Sequence, residues 1–224
     1  MLFCGEFHGV SGFLRLRNPW KLNCIVTDVH SAYRLGNKWK DIPNVQDRAE
    51  CSLCGAEETM EHILLLCQES TATKTVWELA EKLWRLRDNE WPDITFGTIL
   101  GCGLQGLKQT RRLTAKGRNR LFTILISESA HLIWKVRCER IIKREDDPAR
   151  RHTKREITNK WLMIINTRLK LDKMYINKKR YSKKAMRKSL VEQTWRGVLM
   201  DEQNLRDNWV WQSGGLAGIG LLRS

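Results

Sequence analysis

Long apolar runs are missing from this chain. The best candidate, LFTILISESAHLIW, is broken by Ser127, Glu128, Ser129 and His131, so nothing approaches the roughly 18–20 consecutive apolar residues a membrane helix needs. A secretory leader is not legible either, because Glu6 and His8 interrupt the apolar part of MLFCGEFHGVSGF and no basic stretch precedes it. A disulfide framework is also absent: seven cysteines are an odd number, and three of them crowd with a histidine into residues 51–67. There are no internal repeats and no segment that reads as a strand. These absences argue against membrane, secreted and all-β classes. They lead us to expect a soluble, intracellular, mainly α protein in reducing surroundings.

What is present can build a core. With 42% hydrophobic residues and ten tryptophans, 224 residues suffice for one substantial core or two small ones. The net charge of +15 is unevenly spread: +2 over residues 1–50, −5 over 51–100, +7 over 101–150, +12 over 151–200 and −1 beyond. A polyanionic partner is therefore expected, and the cysteine-rich block is not the part built to meet it.

Residues 1–44 carry scattered glycine, asparagine and proline without a sustained period, and read as an irregular N-terminal segment. From Thr71, TATKTVWELAEKLWRLR places Val76, Trp77, Ala80, Leu83 and Trp84 on one helical face, with Asp88-Asn89 and Trp91-Pro92 as the stop. We take 45–92 as one module that includes this helix, and 93–117 as a glycine-rich connector. The helical region spans 118–200. In it, RNRLFTILISESAHLIWKVRCERIIKRE is apolar over a wide arc, leaving Glu128, Lys135, Glu139 and Lys143 as a narrow polar strip, which suits a helix at the centre of a bundle. Asp146-Asp147-Pro148 ends it. A second helix carries Ile157, Trp161, Ile164, Ile165 and Leu169 at helical spacing, and a shorter one follows around SLVEQTWRGVLM. Residues 201–224 read as a loosely held tail. Trp77, Trp84, Trp134 and Trp161 lie on apolar faces and are expected in the core.

The chemistry concentrates in CSLCGAEETMEHILLLC. Its spacing, Cys51-x2-Cys54-x7-His62-x4-Cys67, supplies the four soft or borderline donors that zinc takes in closed tetrahedral sites. Two cysteines separated by two residues can turn both sulfurs inward, and Gly55 supplies the positive φ such a turn needs. Thr59 can cap a short helix with His62 near its start. His62 and Cys67, five residues apart, stand about 140° apart around an ideal α-helix and cannot both ligate from one straight face. Cys67 is therefore expected where that helix ends and unwinds. Four protein ligands leave no open coordination position, and three thiolates give the site a charge near −1, so the zinc is expected to be structural rather than catalytic.

These residues carry a resemblance. CSLCGAEETMEHILLLC followed by VWELAEKLW resembles the reverse-transcriptase zinc-binding domain that follows RNase H in LINE-type non-LTR retrotransposon polyproteins. WPDITFGTILGCG, LFTILISESAHLIWKVRCERII and NKWLMIINTRLKLD are similar to the C-terminal region of RNase H-associated, retrotransposon-derived proteins abundant in fungal genomes. The likeness covers about residues 28–212. It implies Cys51, Cys54, His62 and Cys67 as the zinc ligands, and nucleic-acid binding near a reverse transcriptase or RNase H. The family's enzymes have no counterpart in the pattern, since no RNase H-sized stretch of roughly 100–150 residues precedes Cys51. No carboxylate set for two magnesium ions accompanies the isolated Asp28 and Asp41, and no polymerase signature is found. The expectation is a chain without catalytic residues: a fragment, decayed copy or repurposed remnant.

Two further signals read as structure and not as sites. GCGLQG, residues 101–106, lacks the preceding strand and following Lys-Ser/Thr of a phosphate loop and reads as a connector. His131, Trp134 and Cys138 share a helix face, but with no fourth partner they read as buried packing, not a second metal site. KMYINKKRYSKKAMRK, residues 173–188, differs: eight of sixteen residues are basic and none is acidic, with Tyr175 and Tyr181 interleaved. Lys178, Lys179, Arg180, Lys183, Lys184, Arg187 and Lys188 are the candidate contacts to DNA or RNA phosphates, without sequence specificity. A solvated basic face or nuclear-localisation signal is the competing reading of the same residues, and nuclear location is expected. The sequence thus predicts a small zinc-stabilised module followed by a helical bundle, acting as a non-enzymatic nucleic-acid-binding protein. The alternative function is a module docking to a polymerase or assembly partner.

Overall fold

The computed structural model describes residues 35–102, 113–211 and 216–218. Expectations for residues 1–34, for most of GCGLQG and for the rest of the tail lie outside the described residues. Among these residues the fold is helix and turn with no strand; only isolated bridges pair Glu50 with Glu57 and Leu199 with Ala217.

Six α-helices form among the described residues, and most of their starts follow capping chemistry. Helix α1, Thr71–Arg85, starts where Ser70 Oγ accepts the Thr73 N–H at 3.2 Å, satisfying one of the N–H groups a helix start leaves orphaned. Helix α2, Phe96–Gly101, starts likewise at Thr95, so a short helix occupies the first part of the stretch read as connector. Helix α3, Leu113–Cys138, continues as a wider π segment, Glu139–Lys143. Glu145 and Asp146 then take left-handed φ values of 53° and 55°, which halt the helix before Pro148. Helix α4, Lys154–Tyr175, opens on a capping box in which Thr153 and Glu156 each accept from the other's backbone N–H. Helices α5, Lys178–Tyr181, and α6, Lys188–Trp195, complete the set.

Helix α3 is the axis. It packs on α1, α4 and α6, and α1 also packs on α4. Leu121, Phe122, Leu125 and Ile126 of α3 meet Val76, Ala80, Leu83 and Trp84 of α1, Ile157, Trp161 and Ile165 of α4, and Val191 and Trp195 of α6 in one continuous core. Each such side chain contributes roughly 1.5–3 kcal/mol on full burial. Ile164 is only half-buried, one position off the face that α4 turns inward. Gly117 marks the crossing of α3 with α6: a Cβ there would stand 2.4 Å from the Gln193 carbonyl oxygen, so only glycine lets the backbones approach.

A buried charge closes the bundle. Asp172, fully buried, accepts from Arg120 at 2.6 and 2.7 Å and from Trp195 Nε1 at 2.9 Å, with Arg168 Nε 3.5 Å away. One carboxylate therefore ties α3, α4 and α6 together.

The packing departs from the sequence reading in three places. Helix α1 shares the bundle core, Trp84 lying edge-on to Phe122 at 5.4 Å, so it belongs as much to the bundle as to the cysteine module. Glu128, expected on a polar strip, is buried, because neighbours cover α3 on nearly every side, while Lys135 and Lys143 stay exposed. Part of the tail is held down: Val210 and Ala217 are buried, and the Asn166 carboxamide donates to the Ala217 carbonyl at 3.0 Å and accepts its N–H at 2.9 Å.

Candidate metal centre

Local backbone rules assemble the four donors. The Cys51 carbonyl accepts the Cys54 and Gly55 N–H groups at 3.3 and 2.7 Å, and Cys51 N–H returns to the Ala56 carbonyl at 2.7 Å, closing a tight knuckle. Gly55 sits at φ +74°, the conformation expected of it, with open space where a Cβ would go. Thr59 Oγ1 accepts the His62 N–H at 3.0 Å and so starts the next turn.

The turn from His62 to Leu66 is π rather than α: the Cys67 N–H bonds the His62 carbonyl five residues back, at 2.9 Å. That resolves the spacing problem. A π turn stacks residues five apart nearly over one another, so His62 and Cys67 reach the same side of the turn. Cys67 itself then leaves the helix in an extended conformation, φ −69° and ψ 98°. The carbonyls at the end of this turn would be orphans, and α1 satisfies them: Thr73 Oγ1 donates to the Ile63 carbonyl at 3.1 Å and Trp77 Nε1 to the Leu64 carbonyl at 2.8 Å. Trp77 is half-buried for this reason, while Trp84, Trp134 and Trp161 are buried as expected.

The donor atoms of Cys51, Cys54, His62 and Cys67 all lie within 4.8 Å of one another, and this is the only group of metal-ligating side chains found among the described residues. Sγ of Cys67 is 3.8 Å from that of Cys51 and 3.9 Å from that of Cys54, whose Sγ lies 3.3 Å from His62 Nε2. None is in a disulfide. Cys51, His62 and Cys67 are buried and Cys54 is exposed, so the set has one side toward solvent. Without an ion, the neighbouring Cys67 thiol holds Cys51 down to about 4, helped by the Leu53 and Cys54 amides. Cys67 is correspondingly pushed up by that same contact and by burial.

The ligand loop is bolted to α3 and its π extension by contacts the sequence reading missed. Arg137 reaches both carboxylate oxygens of buried Glu58, and its guanidinium also lies 5.4 Å over the Trp134 ring. Burial alone would pull the Arg137 guanidinium down, and Glu58 more than reverses it. Arg140 donates to Ser52 Oγ at 2.6 Å and pairs with Asp146. The only local signal for these was two arginines three apart, Arg137 in α3 and Arg140 in its π extension. A cavity of ≈ 100 Å³ runs from Cys51, His62 and Cys67 to Arg137, Arg140 and His152. His131 is half-buried and Trp134 and Cys138 are buried; among the described residues they belong to no group of three or more metal-ligating side chains.

The candidate phosphate contacts lie elsewhere, on a loop built around α5. Lys178, Lys179, Arg180, Lys183, Lys184 and Arg187 are exposed, and none has an ion-pair partner among the described residues. Lys188 is half-buried and pairs with Glu192 at 3.3 Å. Helix α6 begins at Lys188, the last residue of this basic run, with no side chain capping it; the Leu190 and Val191 N–H groups bond the Arg187 carbonyl at 3.0 and 3.3 Å. No protein-family model matches the chain, and neither does any curated protein or solved structure.

Proposed function

We propose that this is a non-enzymatic nucleic-acid-binding protein that grips phosphates with the loop 178–188 and uses a structural zinc ion to fix residues 51–67. The observation that carries the reading is the concentration on one loop of six exposed cations that have no ion-pair partner among the described residues, next to the start of α6, which no side chain caps. Cations already engaged with carboxylates gain little from a phosphate. These six have their full charge to offer, and a helix start adds anion-seeking dipoles. Phosphate contacts hold a strand in place without reading its sequence.

Zinc is supported by the donor set and its dimensions. Metal–sulfur bonds of about 2.3 Å and metal–nitrogen bonds of about 2.0–2.1 Å in a tetrahedron separate sulfurs by about 3.8 Å and sulfur from nitrogen by about 3.5 Å. Three of the six pairs, at 3.8, 3.9 and 3.3 Å, are close to that size, within a set whose donor atoms all lie within 4.8 Å of one another. Four protein donors leave such an ion no open position for a substrate, which favours a structural role. The likeness of residues 51–84 to reverse-transcriptase zinc-binding domains points the same way, toward a retrotransposon-derived protein working beside nucleic acid.

Salt titration of binding tests the reading. Replacing Lys178, Lys179, Arg180, Lys183 and Lys184 by alanine should weaken binding to unrelated sequences alike. It should also make the slope of log K against log salt shallower by roughly 3–5 units. Unchanged affinity and slope would move the assignment to a nuclear-import signal on a solvated face. Elemental analysis of the purified chain should find one zinc per molecule.

A further inference from the structure

Two tyrosines stand inside the basic loop. Tyr175 ends α4 and Tyr181 ends α5; their half-buried rings meet edge to face with centroids 5.0 Å apart. The Arg180 guanidinium lies 5.6 Å from the Tyr181 ring centre. The loop is folded back to hold this pair: Met186 N–H donates to the Tyr175 carbonyl at 2.8 Å and Ala185 N–H to the Ser182 carbonyl at 3.1 Å. Between Tyr181 and Lys183, Ser182 takes φ 48° and ψ −127°, a conformation glycine would adopt without strain.

From this geometry we infer that the loop takes unpaired nucleic acid, its cations holding phosphates while the Tyr175–Tyr181–Arg180 cluster stacks on exposed bases. The inference rests on the phosphate-binding reading above and adds the strand class to it. A surface meant only for a duplex backbone needs cations alone, since paired bases hide their faces. Partly exposed rings with a guanidinium against one of them offer π surface among the cations, the arrangement that base stacking uses without regard to sequence. Ten tryptophans are available to this chain for its core, and the aromatic residues left in the basic loop are both tyrosines, whose hydroxyls tolerate water.

The test is fluorescence anisotropy at one salt concentration with three labelled probes of about 20 nucleotides, the length of a few binding sites: oligothymidylate, oligouridylate and a mixed-sequence duplex. The intact chain should bind the single strands about tenfold or more tighter than the duplex. Tyr175→Leu with Tyr181→Leu should bring single-strand affinity down to the duplex level, with duplex affinity and the salt slope unchanged. Tyr181→Leu alone, at the end of a four-residue helix, carries the same test should the double variant fail to fold. Equal or tighter duplex binding, or a single-strand preference that survives Tyr181→Leu, overturns the inference while leaving phosphate binding standing. Absence of binding to every probe removes the underlying reading as well.

Discussion

Breaking the pair that fastens the ligand loop to α3 should cost metal affinity although neither residue is a ligand. Glu58 and Arg137 have side chains 4% and 17% exposed and share two hydrogen bonds. In Glu58→Gln the guanidinium keeps one acceptor but loses its counter-charge. Removing one partner of a buried pair costs roughly 3–5 kcal/mol. The residual exposure of Arg137 and its contact with Trp134 favour the lower end, about 3 kcal/mol. Because the loop must be ordered for its donors to converge, that loss falls on binding, about a hundredfold in Kd. Competition with a chromophoric chelator, monitored at constant pH, measures it. The cycle with Arg137→Gln is the stricter assay: the double variant should lose less than the two single losses added together, since each single change strands a charge and the double strands none. Undiminished affinity in Glu58→Gln, or strict additivity in the cycle, would refute the claim that this pair positions the ligands.

Two further outcomes follow from buried charge. Asp172→Ala leaves Arg120 and Arg168, with side chains 10% and 13% exposed, facing no carboxylate, and should lower unfolding free energy in urea by about 3–5 kcal/mol. Asp172→Asn, which keeps an acceptor for Trp195, should lose less, and a loss within about 0.5 kcal/mol for the alanine variant would contradict the clamp. His152 is held below its usual imidazole value by burial and then by Arg144, against the pull of Glu139 and Glu156. Its unfolded form therefore binds the proton more readily, so the stability it contributes is complete above about pH 6.5 and is lost as pH falls through that value toward the folded one. Urea midpoints of the metal-loaded protein should fall more steeply with pH in this window than those of His152→Leu; identical slopes would exclude the effect.

The parts of this structure that the sequence revealed are those decided by neighbours along the chain. Cys51, Cys54 and Gly55 build their knuckle from one turn, so composition and spacing suffice. Val76, Ala80, Leu83 and Trp84 repeat at helical intervals and are buried accordingly. Capping residues such as Thr59 act over three positions. What stayed hidden was settled by packing between distant segments. Glu58 meets Arg137 across 79 residues and Arg120 meets Asp172 across 52. No periodicity encodes such pairs, because a buried carboxylate looks like a solvated one until its surroundings close. The π turn at His62–Leu66 is an intermediate case. Five-residue spacing revealed that an α-helix could not present both ligands, but the unwinding expected at Cys67 is preceded by a widened turn that α1 stabilises from outside.

The helix α4 relates the two ends of the molecule. Its first turn follows His152, which lines the cavity beside the metal ligands, and its last residue is Tyr175, at the edge of the basic loop. With 22 residues at about 1.5 Å each, it separates them by about 33 Å. At physiological salt, charges interact appreciably over about 8 Å. The candidate metal site at one end of α4 and the basic loop at the other are thus too far apart for a charge at one to act directly on the other. Packed contacts link the two ends: the Glu58–Arg137 pair fixes the loop 51–67 to α3, Asp172 fixes α3 to α4, and α4 carries the tyrosine on which the basic loop folds back. Were a metal bound at one end and a strand at the other, coupling between them would run through this packing and not through charge.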